Sequence, residues 1–153
     1  MIEIERTVQQ IQYVLGPAVM VSSGGLFLLG FQNKYSNLTN RFRALNQERR
    51  QLSKKLDIST AERERLISVD GQLETLFVRI RYVKSAILLV YAAVLCFVGT
   101  SVLIFVNVYA ASTLSRIVLV PFALGLLCLV PACILMLLET RLSYRIMVLE
   151  KSS

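Results

Sequence analysis

The stretch that decides the fold is residues 85–115, SAILLVYAAVLCFVGTSVLIFVNVYAASTLS, which holds 31 positions without a charged side chain. Two further uncharged stretches cover residues 7–33 and 117–138. Each exceeds the about 20 residues that a helix needs to cross the hydrocarbon core of a bilayer. With 55% hydrophobic residues and a mean hydropathy of +0.60, the chain is too apolar for a soluble domain. The sequence therefore predicts an all-α integral membrane protein with three transmembrane helices.

The 153 residues leave little room for anything besides these helices, so we expect residues 1–153 to form a single membrane domain. The sequence has no His, which removes the imidazole base and the commonest metal and haem ligand. Cys96, Cys128 and Cys133 fall inside the spans, where a thiol behaves as a small apolar group. We expect no enzymatic activity, no catalytic residues, no cofactor and no metal site. The predicted segments are spans at about 11–31, 85–107 and 114–138, a hairpin at 33–84 and a C-terminal tail at 139–153.

The net charge of +7 is concentrated in residues 32–84, which carry twelve Lys/Arg against six Asp/Glu. Basic residues close to transmembrane helices are retained in the cytoplasm. The N-terminus is therefore predicted outside, and the 33–84 segment and the C-terminus inside, in the inner membrane of a bacterium. The basic residues alternate with acidic ones and lack stacking aromatic residues, so we do not expect nucleic acid as a partner.

The 33–84 segment has apolar residues spaced alternately by three and four, which is the pattern of a coiled coil. Two such seams are separated by a break at residues 57–60, where Ser59 and Glu62 have the spacing of a helix capping box. The pattern predicts an antiparallel coiled-coil hairpin, with two amphipathic helices lying on the lipid headgroups as the alternative. The seam positions are Tyr35, Leu38, Phe42, Leu45, Leu52 and Leu56, then Leu66, Val69, Leu73, Leu76, Ile80, Val83 and Ile87.

Arg49 occupies a seam position of the first arm and is predicted to fix the alignment of the two arms. In the register that pairs every layer, Arg49 faces Leu73, and its guanidinium reaches Asp70 or Glu74 on the opposite arm. A polar seam residue lowers stability but specifies register. Arg49, Asp70, Leu73 and Glu74 are therefore the candidate register residues.

Small residues inside the spans predict close helix packing, because they let helix backbones approach each other. Three polar residues near the ends of the spans are the candidates for a groove or pathway: Asn107, Arg116 and Glu139. For Glu139 we expect an ion pair at the inner interface with Arg141 and Lys84. The helix-packing candidates are Ser22, Ser23, Gly24 and Gly25 in the first span, and Ala92, Cys96, Gly99 and Thr100 in the second.

A set of residues in the first span and the two arms carries a resemblance to a known family: Ile11-Gln12, Leu15, Pro17, Ser23-Gly24, Leu28-Leu29, Asn33, Arg41-Phe42-Arg43-Ala44-Leu45, Leu76, Arg79, Arg81 and Ala86-Ile87. With these residues the chain resembles the bacterial membrane proteins grouped as domain of unknown function 2721. The resemblance implies a three-span membrane protein and brings no established activity.

Three functions are compatible with this architecture. We expect a non-enzymatic assembly or accessory module that binds partners through its hairpin, as a homo-oligomer or as a subunit of a larger membrane complex. A homo-oligomeric ion pore is one alternative. The topology also resembles the core of Oxa-type insertases, so a membrane protein biogenesis factor is the other alternative, although a shared topology does not establish function.

Overall fold

Three long helices make up the part of the chain that the computed structural model describes. Their bounds are α1 at Ile2–Ser53, α2 at Thr60–Ala110 and α3 at Ser115–Ser152. The described residues, which contain no strand, confirm the all-α prediction. The backbone is described for residues 2–54, 59–110 and 115–152, and side chains for residues 15–54, 59–107 and 118–144 together with Val8 and Ile11.

Each helix contains a stretch that is long and apolar enough to cross a membrane: Leu15–Ser53, Thr60–Asn107 and Val118–Tyr144. The prediction of three membrane-spanning helices is confirmed at this level. The ends of the predicted spans, however, are not helix ends. Helix α1 has 52 residues, which corresponds to about 78 Å and is more than twice the thickness of the hydrocarbon core. It therefore runs without a break from the first span into the basic segment.

The other two helices also extend beyond their spans. Helix α2 includes the second arm and the second span in one piece, and α3 continues to Ser152 through the segment predicted as a tail. Pro17 lies inside α1, and Pro121 and Pro131 lie inside α3. A proline removes one helical hydrogen bond, which membrane helices tolerate when neighbouring groups satisfy the freed carbonyl.

Helices α1 and α2 pack against each other in opposite directions along the 33–84 segment. Gln32, early in the α1 segment, meets Tyr91 of α2, whereas Glu48 and Arg49, about four turns later, meet Arg65 and Asp70, which precede Tyr91. Between these polar contacts lies an apolar cluster around three buried side chains. Leu38, Leu76 and Val83 are its centre, and Tyr35, Phe42, Leu45, Ile80, Ile87 and Met136 pack around them.

In the spans, α2 packs against both α1 and α3, and it uses one continuous face. The buried residues of that face are spaced by three and four: Ala86, Val90, Ala93, Phe97 and Thr100. Two glycines bring the neighbouring helices close to it. A Cβ atom built on Gly24 of α1 would lie 2.5 Å from Val94 Cγ2, and one on Gly125 of α3 would lie 2.6 Å from the Phe97 ring.

The turn between the arms begins at Lys54, and residues 55–58 lie outside the described part of the chain. At the start of α2, the Ser59 amide donates to Glu62 Oε2 at 3.1 Å and the Glu62 amide donates to Ser59 Oγ at 3.4 Å. This reciprocal pair is the capping box that the spacing predicts. The predicted N-cap of the third span, Ser112 or Thr113, also lies outside the described residues.

Candidate functional site

The side chain of Glu139 on α3 is completely buried, although a carboxylate is among the groups least often found in that state. Its Oε1 atom accepts a hydrogen bond from Arg79 Nε on α2 at 3.0 Å, and Arg79 Nη2 lies 3.0 Å from the same oxygen. Lys34 on α1 forms an ion pair with the other oxygen, Oε2. One carboxylate thus joins all three helices.

Two hydroxyl groups of α3 complete the coordination of the cations. Arg79 Nη2 donates to Ser143 Oγ at 2.8 Å, and Lys34 Nζ donates to Thr140 Oγ1 at 3.1 Å. Thr140 Oγ1 in turn donates to the Met136 carbonyl at 2.9 Å. We call Lys34, Arg79, Glu139, Thr140 and Ser143 the ionic cluster. With two cations around one carboxylate, its formal charge is +1.

The ionic cluster lies where the spans meet the basic segment. Helical spacing places its members on the sides of the helices that pack against each other. Glu139 follows the buried Gly125 and Ala132 of α3 at intervals of seven residues, which keeps all three on the side that faces α2. Arg79 lies between Leu76 and Val83 of the α2 seam. Buried charges persist only when they are paired and hydrogen-bonded, and this cluster supplies both.

The partners of Glu139 differ from those we expected. Lys84 and Arg141 are both exposed, and Glu139 contacts Lys34 and Arg79 instead. Arg141 is two residues from Glu139, which places it on the opposite side of α3. The seven-residue series that ends at Glu139 was a signal in the sequence for its burial. Lys34 and Arg79 were missed because which side chains meet across three helices depends on their packing.

The packing candidates of the first span divide between the inside and the outside of the bundle. Gly24 is buried against α2, whereas Gly25 is exposed and a Cβ atom built on it meets nothing within 4 Å. The hydroxyls of Ser22 and Ser23 donate to the carbonyls of Ala18 and Val19 at 3.1 and 2.9 Å. Both hydroxyls therefore donate their hydrogen bonds within α1 and not to another helix.

The packing candidates of the second span lie mostly beside the buried face of α2. Thr100 is buried, and its hydroxyl donates to the Cys96 carbonyl at 2.8 Å. Ala92, Cys96 and Gly99 are half-buried, and a Cβ atom on Gly99 meets nothing within 4 Å. The absence of a side chain at Gly99 is therefore not needed for packing among the described residues.

The structure brings two of the four register candidates into direct contact. Arg49 Nε lies 2.9 Å from Asp70 Oδ1, and both side chains are about half exposed. Leu73 is buried in the seam between the arms, and Glu74 is exposed. Next to Arg49 on α1, Glu48 Oε1 accepts a hydrogen bond from Arg65 Nε at 2.9 Å, which gives the arms a second ion pair.

The two remaining groove candidates lie at the end of the spans opposite to Glu139, since 23 residues of α3, about 35 Å of helix, separate Arg116 from Glu139. Asn107 is half-buried near the end of α2, and Arg116 lies in the first turn of α3 with its side chain outside the described residues. Within the described part of the chain, no group of three or more His, Cys, Asp or Glu residues is placed to hold a metal ion. Cys96, Cys128 and Cys133 are half-buried free thiols.

Comparison with known proteins identifies one family. The model of the family described as protein of unknown function (DUF2721) matches residues 14–149, which is most of the chain. The resemblance seen in the sequence is thereby confirmed. No match was found among curated proteins or among solved structures, so the resemblance to Oxa-type insertases is not confirmed.

Proposed function

Because the chain belongs to the DUF2721 family, which carries no known activity, we propose from its own structure that it is a non-enzymatic membrane assembly module. In this proposal, copies of the chain associate in the inner membrane of a bacterium. The N-terminus is outside, and the arms of α1 and α2 form a coiled-coil hairpin in the cytoplasm. The basic content of residues 32–84 supports this orientation.

The observation that carries the proposal is one side of α2 that has two exposed apolar residues on the arm and small residues in the span. Ile67 is 70% exposed and Val78 is 41% exposed, and both lie among charged residues outside the uncharged span. Their separation of eleven residues is three turns of helix, so they share one side of α2. Gly71 and Glu74 lie between them on that side, so Ile67 and Val78 are two separate apolar contact points for a partner and do not form a continuous patch.

The same side of α2 continues into the membrane through small residues. Ser85, Ala92 and Gly99 follow Val78 at intervals of seven, and none of the three is fully buried. Small residues at heptad spacing let a second helix approach closely in lipid. Two copies in one membrane have the same orientation, so their α2 helices align in parallel and present equivalent residues to each other. This supports a second copy of the chain as the partner.

The helices hold this face in a fixed position relative to the bilayer. Helices α1 and α2 each connect arm and span without a break, and the ionic cluster joins both to α3 at their junction. A hairpin held in this way projects from the spans. The continuity supports the coiled-coil hairpin over two helices lying on the headgroups.

The ion-pore and insertase alternatives both require polar groups that face a channel or groove. The hydroxyls of Ser22, Ser23, Thr100 and Ser101 each donate to the carbonyl four residues earlier, which favours a role within their own helices. A pore predicts conductance in liposomes, and an insertase predicts crosslinks from the spans to nascent hydrophobic segments. Neither signal is expected.

The mass of the purified protein in detergent tests the assembly. We expect a multiple of the 17.2 kDa chain for the wild type and a shift toward a single chain for Gly99→Leu, because a leucine fills the space that a second helix needs. The matched control is Gly30→Leu, since a Cβ atom on Gly30 also meets nothing within 4 Å. Gly30 lies on α1, away from the proposed interface.

A second pair of variants tests the hairpin. Ile67→Gln with Val78→Gln is expected to weaken assembly, whereas Ala44→Gln, at an exposed site on the other arm, is expected to leave it unchanged. A wild-type mass equal to one chain contradicts the proposal. So does an assembly that survives both Gly99→Leu and the Ile67/Val78 changes.

A further inference from the structure

Several exposed cationic side chains near the junction of arms and spans, Arg41 among them, have no acidic partner among the described residues, and three of them flank one groove. Arg43, Arg81 and Lys84 are all exposed and form no ion pair there. By contrast, the described ion pairs use Lys34, Arg49, Arg65 and Arg79. The three unpaired cations therefore remain available to bind an anion.

The position of Lys84 follows from two contacts on either side of it. Tyr91, Lys84 and Phe77 are spaced by seven residues and share one side of α2. Tyr91 Oη accepts a hydrogen bond from Gln32 of α1 at 2.8 Å, and the Phe77 ring lies 6.5 Å from the ring of Phe42 of α1. Lys84 therefore lies along α1 between these two contacts, in the groove between the helices.

The two arginines lie on the rims of this groove. Arg81 is about one turn from Lys84 on α2, and Arg43 follows Phe42 on α1. Side chains of a helix lean toward its N-terminus. Because α1 and α2 run in opposite directions, Arg43 leans toward the spans while Arg81 and Lys84 lean toward the hairpin tip. From these directions we infer that the three cationic groups approach one level of the groove.

That level is the boundary of the hydrocarbon core. Lys34 and Lys84 are the charged residues next to the first and second uncharged stretches. On the membrane side of the cations, the same two helix sides carry Leu29, fourteen residues before Arg43, and Leu88, seven residues after Arg81. Both leucines are well exposed. The groove is therefore cationic on the side of the arms and apolar on the side of the spans.

We propose that this groove binds the headgroup of an anionic glycerophospholipid from the adjacent leaflet. The phosphate lies among Arg43, Arg81 and Lys84, and the acyl chains lie along Leu29 and Leu88. The cations supply charge complementarity to the phosphate, and the leucines match the chains. Binding requires the spans to lie in a bilayer and a single chain is sufficient for it. It competes with the self-assembly proposed above, because Arg81 and Leu88 share one side of α2 with Ser85 and Ala92.

Native mass spectrometry of the full-length protein in detergent tests this site. Dioleoyl phosphatidylglycerol and dioleoyl phosphatidylcholine have the same chains and differ in headgroup charge. We expect the wild type to retain phosphatidylglycerol in preference. Each positive charge removed is expected to reduce the preference about fivefold, so Arg81→Gln with Lys84→Gln is expected to reduce it about 25-fold. Excess inorganic phosphate is expected not to compete, since it lacks the chains.

Arg141→Gln is the matched control, because Arg141 is an exposed cation at the same membrane boundary on the outer side of α3. It is expected to keep the preference, as is the charge-retaining variant Lys84→Arg. Equal retention of the two lipids by the wild type overturns the proposal. It is also overturned if Arg141→Gln reduces the preference as strongly as Lys84→Gln, or if inorganic phosphate displaces the lipid. The lipid preference of the Gly99→Leu variant is measured as well. If this variant keeps the preference although it no longer assembles, the two proposals have been tested separately.

Discussion

Arg79 directs both Nε and Nη2 at one oxygen of Glu139, each at 3.0 Å, and so joins α2 to α3 where the spans meet the arms. Lys34 reaches the same carboxylate from α1. The carboxylate is the counter-charge of two cations. Because it is completely buried, water cannot take the place of the cations as its hydrogen-bonding partner. A single acidic side chain therefore links the three helices at this level, next to the apolar packing of Met136 against α1 and α2.

The first prediction concerns that side chain. Glu139→Gln preserves shape but leaves the largely buried Arg79 without a counter-charge, and we expect it to reduce the free energy of unfolding by about 3 kcal/mol. Thermal unfolding in detergent measures the change. Glu74→Gln is the control, since Glu74 is an exposed carboxylate on the arm of α2. It is expected to leave the melting temperature unchanged.

A double-mutant cycle assigns the effect to the ion pair. Arg79→Gln with Glu139→Gln is expected to be less destabilised than the sum of the two single changes, because the second change removes the charge that the first left unpaired. Equal melting of the Glu139→Gln and Glu74→Gln proteins shows that the ionic cluster does not hold the helices together.

The second prediction compares two adjacent glycines. Replacing a helical glycine by alanine normally adds up to about 1 kcal/mol of stability. Gly25→Ala is expected to show this gain, since its Cβ atom meets nothing within 4 Å. Gly24→Ala places a Cβ atom 2.5 Å from Val94 Cγ2, and the overpacking cost of about 1–3 kcal/mol exceeds the gain. Thermal unfolding of the two variants is expected to move in opposite directions, and similar shifts contradict the packing of α1 on α2 at Gly24.

The third prediction concerns the ion pair between Arg49 and Asp70. Its half-exposed partners contribute at most about 1 kcal/mol, so its expected role is to select the register of the arms. In a protein without native cysteines, Leu52→Cys with Val69→Cys is expected to form a disulfide. Adding Arg49→Leu is expected to raise the melting temperature and to permit a second disulfide, between Leu52→Cys and Leu76→Cys, one heptad out of step.

Two results contradict this role for Arg49. One is the absence of the disulfide between positions 52 and 69 in the parent protein. The other is an Arg49→Leu protein with unchanged stability and a single register.

The fourth prediction concerns topology and follows from the basic segment. In the cysteine-free protein, Ser59→Cys at the hairpin tip and Ser152→Cys near the C-terminus are expected to resist a membrane-impermeant thiol reagent in intact cells. Ser112→Cys, between the second and third spans, is expected to react. Labelling of Ser59→Cys in intact cells would show that the hairpin tip is outside, and it would contradict the predicted orientation.

Local pattern was sufficient for part of the fold. Three uncharged stretches predicted three membrane-spanning helices because crossing a bilayer depends on the length and composition of one segment alone. The capping box of Ser59 and Glu62 was predicted for the same reason, since its two members belong to a single helical turn. Helix ends were not predicted, because backbone hydrogen bonding in α1 and α2 continues across the change from apolar to charged side chains.

By itself, then, the sequence determined the helices, the candidate spans and the residues able to line a seam between the arms. Only the tertiary structure decided which side of each helix is inside. It buried Gly24 and left its neighbour Gly25 exposed, and it gave Glu139 the partners Lys34 and Arg79 in place of Lys84 and Arg141. The physical reason is that neighbours on a helix point about 100° apart, so a small rotation of three packed helices changes which charges meet while the pattern along each helix stays the same.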